Sequence, residues 1–251
     1  MVLLRILGAE YRRYLAECRA YWPSFVTDGI TLVLIFGIFF AISPGSRTPS
    51  AWFGYLLWIL AQAVLTEGPI ATNSEKQWGT LSQLLIKPVG FGLLTAVKTL
   101  VWLTVQAVFA AAVIGVLALV LRLPLAADWQ LVPLGLVGLA SLFGFTLVLT
   151  SLTILYSKTS GLVGIVSYAL LFLTGALIPL TSLPWVLRGL AYGLPLTGAI
   201  TAGRSVLDGV GLSGWSYAVI VVEALGYLVL GAVVFRLVMR RAMRRGIAVG
   251  Y

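Results

Sequence analysis

Residues 101–121 read VWLTVQAVFAAAVIGVLALVL, a run of 21 residues without a charge. A helix needs about 20 apolar residues to cross the hydrocarbon core of a bilayer, which is roughly 30 Å thick. Residues 29–46 and 161–187 are also long and uncharged. The sequence therefore predicts an integral membrane protein built from helices.

The composition of the whole chain supports this class. Sixty per cent of the 251 residues are hydrophobic and 10% are charged, far from the balance of a soluble domain. The net charge of +9 does not indicate nucleic-acid binding, because the basic residues gather at the ends of apolar runs. One cysteine, Cys18, and no histidine exclude an intrachain disulfide, a Cys/His metal site and histidine-dependent catalysis.

The apolar runs predict one all-α transmembrane domain over residues 1–251. Residues 1–22 precede them as an amphipathic cytoplasmic helix, with apolar side chains at helical spacing and charges on the other side. Prolines and seven glycines interrupt residues 180–216, which predicts two short re-entrant or interfacial helices outside the cytoplasm. The six predicted spans are 24–42, 52–70, 91–121, 131–156, 161–179 and 217–238.

The distribution of basic residues predicts the orientation of this layout. Thirteen of the 17 lysines and arginines fall on the side of the two termini, and four fall on the other side. The positive-inside rule then places both termini in the cytoplasm, in agreement with an even number of spans.

The loop after the second span, residues 75–89, reads EKQWGTLSQLLIKPV. Thr80 and Gln83 have the spacing of a capping box, and Pro88 limits the helix that would follow. The leucines at 81, 84 and 85 share one face of that helix. The pattern predicts a short amphipathic helix over residues 74–89, which either rests on lipid headgroups or docks a cytoplasmic partner.

The pattern Glu-x-x-x-Gly-Thr-Leu-x-x-Leu-Leu-x-x-Pro in this loop resembles the signature of type-2 ATP-binding-cassette (ABC) exporter permeases, closest to the branch that exports drugs and lipo-oligosaccharides. The predicted layout resembles that family over nearly the whole chain. One departure is Ser82, where many relatives carry an acidic residue.

The resemblance implies that this loop is a coupling helix, which receives force from a separate cytoplasmic ABC ATPase. It also implies a second permease chain, identical or related, and a location in the bacterial cytoplasmic (inner) membrane. No Gly-x-x-x-x-Gly-Lys-Ser/Thr loop occurs in the chain, so ATP and Mg would bind the partner ATPase. The residues assigned to coupling are Glu75, Gly79, Thr80, Leu81, Leu84, Leu85 and Pro88.

Ionisable and aromatic residues within the spans are candidates for the transport pathway, because a charge inside the bilayer usually faces protein or a cavity. Glu67 precedes Pro69, a proline that can kink the helix, and Trp58 and Trp102 lie deep in their spans. These three residues are the predicted pathway. Asp28, near the start of span one, is instead predicted to pair with a neighbouring lysine or arginine.

Three further features carry structural predictions. Glu223 is expected to form a salt bridge with Arg188 or Arg204 that stabilises an outer gate. The glycines of Gly135-x-x-Gly138-x-x-x-x-x-Gly144 and Gly161-x-x-Gly164 predict close helix packing. Aromatic residues near the predicted interfaces are expected to anchor helices at the headgroups, and they are Trp22, Trp52, Trp129, Trp185, Trp215 and Tyr217.

The sequence thus indicates a transport permease, not an enzyme, that exports a hydrophobic, amphipathic or lipid-linked compound, most simply a drug-like one. Membrane lipids are its expected surroundings, and nucleic acid is not an expected partner. The alternatives are a polysaccharide or teichoic-acid exporter of the same fold, an intramembrane lipid-modifying enzyme, and a non-transporting membrane subunit.

Overall fold

The computed structural model describes residues 2–42, 50–77, 91–122, 128–156 and 160–245. These residues are helical apart from short connections, and no strand occurs among them. The predicted all-helical class is therefore confirmed. The helices are α1 (Val2–Ala20), α2 (Trp22–Ile42), α3 (Ala51–Gln77), α4 (Phe91–Leu121), α5 (Leu131–Leu155), α6 (Ser160–Leu173), a 3₁₀ turn (Leu180–Ser182), α7 (Trp185–Tyr192), α8 (Thr197–Leu207) and α9 (Gly214–Arg245).

Several of these helices have the length and composition of membrane spans. Within the described ranges, α3, α4, α5 and α9 each contain a stretch long and apolar enough to cross a bilayer. The pair α1 and α2, bent by 79° where they meet, forms a fifth candidate if it is taken as one span. The chain is thus a multi-pass membrane protein, and the count of six spans stays a prediction.

Two predicted segments differ from the observed helices. The fifth span was expected over 161–179, but α6 ends at Leu173. Gly175 has a φ of +83°, a left-handed conformation that terminates a helix, and the run of apolar residues around it hides this break. The coupling helix was expected over 74–89, but residues 74–77 continue α3, and residues 78–90 lie outside the described part of the chain.

Helix α3 lies at the centre of the bundle, because it packs against α4, α5, α6 and α8. Its side chains Tyr55, Leu57 and Leu65 are almost fully buried. The ring of Tyr55 stacks on Phe36 of α2, with 3.7 Å between the ring centroids. The outer faces of the other helices are also apolar, as expected for surfaces that contact lipid.

Among the described residues, the most extensive contact between two helices joins α5 and α9, and glycines bring the two backbones together. A Cβ atom built on Gly144 would collide with the backbone of Tyr227, and one built on Gly231 would collide with the backbone of Gly144. A Cβ atom built on Gly138 would collide with the side chain of Ala199 in α8. Small residues allow this approach in a membrane, where helix association depends on close packing.

The prediction of close packing fails for the second glycine pair. A Cβ atom built on Gly161 or Gly164 would meet no described atom within 4 Å. Both glycines lie in the first turns of α6, away from the helices that the structure describes. Spacing alone therefore does not tell which glycine face meets a neighbouring helix.

Four of the six aromatic residues predicted at interfaces have highly exposed side chains, between 62% and 84%, and they are Trp22, Trp129, Trp185 and Trp215. Trp52 and Tyr217 differ, because both are half-buried in the bundle. The hydroxyl of Tyr217 donates a hydrogen bond of 2.7 Å to Gln130. An anchoring role stays a prediction for the four exposed rings.

Helix α1 carries its charges on one side and packs against α4 with the other. Arg13 forms ion pairs with Glu10 and Glu17 on the charged side. On the packed side, the hydroxyls of Tyr11 and Thr104 share a hydrogen bond of 2.7 Å. This hydrogen bond attaches α1 to the N-terminal half of α4.

Cys18 of α1 provides a test of the predicted orientation. A membrane-impermeant maleimide is expected to label Cys18 in inside-out vesicles and not in right-side-out vesicles. Burial raises the pKa of the Cys18 thiol, and the charge of Glu17 raises it further. Since the thiolate is the reactive form, the labelling rate should rise about tenfold per pH unit from pH 7 to pH 8.

Cys18→Ser is the control for this labelling, because the chain has no other cysteine. Labelling of wild-type protein in right-side-out vesicles would contradict a cytoplasmic N-terminus. A rate that is flat between pH 7 and pH 8 would contradict the raised pKa.

Candidate functional site

A cavity of about 390 Å³ lies among α2, α3 and α4, with α6 on one side. Its polar lining comes from Asp28, Thr31, Gln62, Thr66 and Gln106. Its aromatic lining consists of Phe25, Trp58, Trp102, Phe109 and Tyr168, and small apolar surfaces complete it with Leu32, Ile35, Ile59 and Ala63. Ligand cavities commonly combine this kind of apolar wall with a few polar groups.

Helical spacing explains why the polar groups reach one space. Asp28 and Thr31 are three residues apart on α2, and Gln62 and Thr66 are four apart on α3, so each pair shares a helix face. Thr31 donates to the carbonyl of Thr27, and Thr66 donates to the carbonyl of Gln62. The two hydroxyls are therefore satisfied within their own helices.

The structure brings two of the three predicted pathway residues together. Trp58 of α3 and Trp102 of α4 both line the cavity. The indole N–H of Trp58 donates a hydrogen bond of 3.1 Å to the carbonyl of Ser167, which holds this ring in place. Glu67 also belongs to α3, but its side chain lies outside the described part of the chain.

Trp102 connects the cavity to the surface helix α1. Its ring lies 5.1 Å from the ring of Tyr14 in α1 and 6.0 Å from the ring of Phe25 in α2. Phe25 in turn lies 6.2 Å from Phe109, further along α4. These rings form a continuous aromatic wall from α1 into the cavity.

Asp28 was expected to pair with a neighbouring lysine or arginine, and this expectation is wrong within the described residues. No described cation lies within 4.0 Å of its carboxylate, and no described hydrogen bond engages it. The carboxylate lines the cavity instead. Six residues separate it from Trp22, which corresponds to about 9 Å along the helix.

Sequence reasoning did not assign Gln62 and Gln106 to any site, and it assigned Asp28 to an ion pair instead of a cavity. Each is a strongly polar residue inside a long apolar helix, and that isolation was a usable signal. The missing information was the relative rotation of α2, α3 and α4. That rotation turns the three side chains toward one another.

The predicted salt bridge of Glu223 is absent among the described residues. Arg188 donates instead to the carbonyls of Leu180, Thr181 and Leu183 at 2.7–3.2 Å. Arg204 donates to the carbonyl of Ala176 at 3.0 Å. These four carbonyls lie between α6 and α7, outside the α-helices, where the guanidinium groups reach backbone acceptors. The carbonyl of Leu180 also accepts from the N–H of Leu183 in the 3₁₀ turn.

Glu223 itself lies against Gly198 of α8. One of its carboxylate oxygens is buried without a hydrogen-bond partner among the described residues. The outer segment is therefore held by arginine–carbonyl bonds. A gating role for Arg188, Arg204 and Glu223 stays a hypothesis.

The residues assigned to coupling lie mostly outside the described chain. Residues 78–90 are not described, and for Glu75 the structure describes only the backbone, in the last turn of α3. The motif joins the end of α3 at Gln77 to the start of α4 at Phe91.

An apolar groove of about 480 Å³ lies beside the cavity, between α2 and α4. Phe25 and Phe109 line both spaces, so the groove and the cavity share these two rings. The remaining lining residues are all apolar, namely Val26, Gly29, Ile30, Val33, Leu34, Ala112, Val113 and Val116. A polar cavity and an apolar groove thus lie side by side.

A comparison with protein-family models gives no match to the chain, and a comparison with curated proteins gives none. The fold and the site define the chain as an all-helical, multi-pass membrane protein with a polar cavity among its helices.

Proposed function

We propose that the chain is the transmembrane subunit of an ATP-driven exporter of the type-2 ABC class. It moves a hydrophobic, amphipathic or lipid-linked compound, drug-like in character, out of the cell. A separate cytoplasmic ATPase binds ATP and Mg and hydrolyses the nucleotide. This chain supplies the pathway and performs no hydrolysis itself.

One observation carries the proposal: the coupling motif joins, along the chain, two helices that both line the cavity. Trp58 and Gln62 belong to α3, and Trp102 and Gln106 belong to α4. The connection between the helices spans only residues 78–90. A partner that moves this loop displaces both walls of the cavity directly.

Helix α1 extends this coupling. It is joined to α4 by the Tyr11–Thr104 hydrogen bond and by the contact of Tyr14 with Trp102. A hydrogen bond and an aromatic pair each contribute about 1 kcal/mol, so α1 and α4 are expected to move together. Movement of α4 would then be transmitted to the membrane surface.

The combined site favours an amphipathic substrate. A polar group would occupy the cavity, while an apolar body would occupy the groove beyond Phe25 and Phe109. The volumes of about 390 and 480 Å³ lie in the range of small-molecule sites. A second permease chain, identical or related, would complete the pathway.

The aromatic rings of the cavity also favour a second candidate, a polysaccharide or teichoic-acid exporter, because Trp58, Trp102 and Tyr168 offer flat surfaces for sugar rings. The apolar groove argues against it, since sugar hydroxyls would lose hydrogen bonds there. A lipid-modifying enzyme needs two positioned acid–base groups. Among the described lining residues, Asp28 is the single carboxylate.

The test is nucleotide binding and ATP-driven transport by the native complex. The tagged chain, purified in mild detergent from its own host, is expected to bring an ATPase that an azido-ATP analogue labels. Inside-out vesicles containing the complex should accumulate a lipophilic fluorescent substrate when ATP is added, and vanadate should stop this uptake.

Vesicles containing the permease without the ATPase are the control for passive uptake. Purification without any labelled ATPase, or uptake that is independent of ATP, would overturn the proposed function.

A further inference from the structure

We propose that the cavity and the groove together bind a lipophilic organic cation, with its positive centre near Asp28 and its apolar body in the groove. This inference names the substrate class of the proposed exporter. It rests on the proposed function only for the direction of transport, since binding itself is a property of this chain.

The charge of the cavity points to a cation. Asp28 is the single ionisable acid among the described lining residues, and none of those residues is a lysine or arginine. The side chain of Asp28 is exposed where it lines the cavity, and a carboxylate within a membrane-spanning helix needs a counter-charge or a polar cavity. No described residue supplies that counter-charge, and a bound cation would.

The aromatic wall adds to this selectivity. The faces of aromatic rings carry negative charge density and attract cations within about 6 Å of the ring centroid. Trp102 and Phe25, whose rings lie 6.0 Å apart, line the same cavity as Asp28. A diffuse cation is favoured, because it gives up its hydration more readily than a small ion.

The groove accounts for the apolar body of the ligand. Phe25, one turn before Asp28, lines both spaces, so a ligand can extend from the carboxylate past this ring. Gly29 lies next to Asp28, and a Cβ atom built on Gly29 would lie 3.4 Å from the ring of Phe109. A side chain at this position would contact Phe109, and glycine leaves that space open beside Asp28.

Tetraphenylphosphonium and tetraphenylborate give a matched test, because they have nearly the same shape and opposite charge. The purified chain is placed in nanodiscs of zwitterionic lipid without ATPase or ATP. Binding of each radiolabelled ion is measured by equilibrium dialysis, and the uptake of empty nanodiscs is subtracted. Saturable binding is expected for the phosphonium and not for the borate.

Three variants assign the binding to Asp28. Asp28→Asn should weaken phosphonium binding at least tenfold, while Asp28→Glu should retain it. Asp208→Asn removes an exposed carboxylate in the turn after α8, outside the cavity, and should leave binding unchanged.

Equal binding of the borate, or unchanged phosphonium binding to Asp28→Asn, would overturn the inference. Absence of phosphonium binding to wild type would also overturn it. In that case, if Asp28→Asn caused a pair of permease chains to dissociate, a second chain would be the partner that neutralises Asp28. The comparison of the two ions on wild type stays decisive even if a variant does not fold. If the chain bound the phosphonium in nanodiscs but no ATPase co-purified with it from its host, this inference would stand while the exporter proposal failed.

Discussion

Replacing Leu81 and Leu84 together by aspartate is expected to abolish substrate-stimulated ATP hydrolysis of the purified complex. The two side chains share the apolar face of the predicted coupling helix. A charge placed in an apolar contact costs about 2 kcal/mol or more, so two charges should weaken ATPase binding at least about 100-fold. The measurement is ATP turnover in lipid, together with the amount of ATPase that co-purifies.

A control adds a negative charge on the opposite face of this helix through Gln83→Glu, which keeps a capping-box residue at this position. This control should retain both the ATPase and its stimulation by substrate, since position 83 faces away from the leucines. If the leucine variant coupled as well as wild type, the docking role of the loop would be wrong. A helix that merely rests on lipid would then explain the pattern.

The largest effect on stability is expected for Gly231→Val. A Cβ atom at this position would overlap backbone atoms of Gly144, which cannot rotate away as a side chain can. The longest helix contact of the bundle, between α5 and α9, would have to separate locally. Overpacking of this kind costs about 3 kcal/mol or more, and we expect loss of a monodisperse, thermally stable protein.

Gly226→Val on the same helix is the control. A Cβ atom on Gly226 meets no described atom within 4 Å, so this change carries only the intrinsic cost of a β-branched residue in a helix. The difference between the two variants, measured by size-exclusion chromatography and thermal unfolding in detergent, isolates the helix contact. Equal stability of the two variants would show that α5 and α9 do not approach at Gly144.

The positions of the long helices were predictable because bilayer thickness and helical rise constrain the apolar runs directly, although α3 and α9 continue to Gln77 and Arg245, beyond the predicted limits at 70 and 238. Helix α4 covers residues 91–121, as predicted, and α5 ends one residue before the predicted limit. The end of α6 was not predictable from hydrophobicity. Residues 174–179 are also uncharged and include the apolar residues Ala176, Leu177 and Ile178, and the left-handed backbone of Gly175 decides where the helix stops.

The candidate site was predicted only in part. The depth of Trp58 and Trp102 within their spans predicted both as pathway residues; both line the cavity, and the pathway role stays a prediction. Asp28 was assigned to a local ion pair, because a sequence shows which charges lie nearby along the chain. It does not show a cavity formed by residues that are far apart in the sequence. The predicted salt bridge of Glu223 was wrong. The sequence does not show that Arg188 and Arg204 lie within reach of backbone carbonyls, to which both donate instead.

The sequence by itself determined that this chain is helical and membrane-embedded, because 60% hydrophobic residues in long uncharged runs have no other favourable solvent than lipid. It also contained the loop pattern from which the exporter proposal begins. Only the tertiary structure decided which polar residues of α2, α3 and α4 share a cavity, and which glycines bring two backbones together. Those outcomes depend on the rotation of each helix relative to its neighbours. Helical spacing shows which residues share a face, but it does not show which neighbouring helix that face contacts.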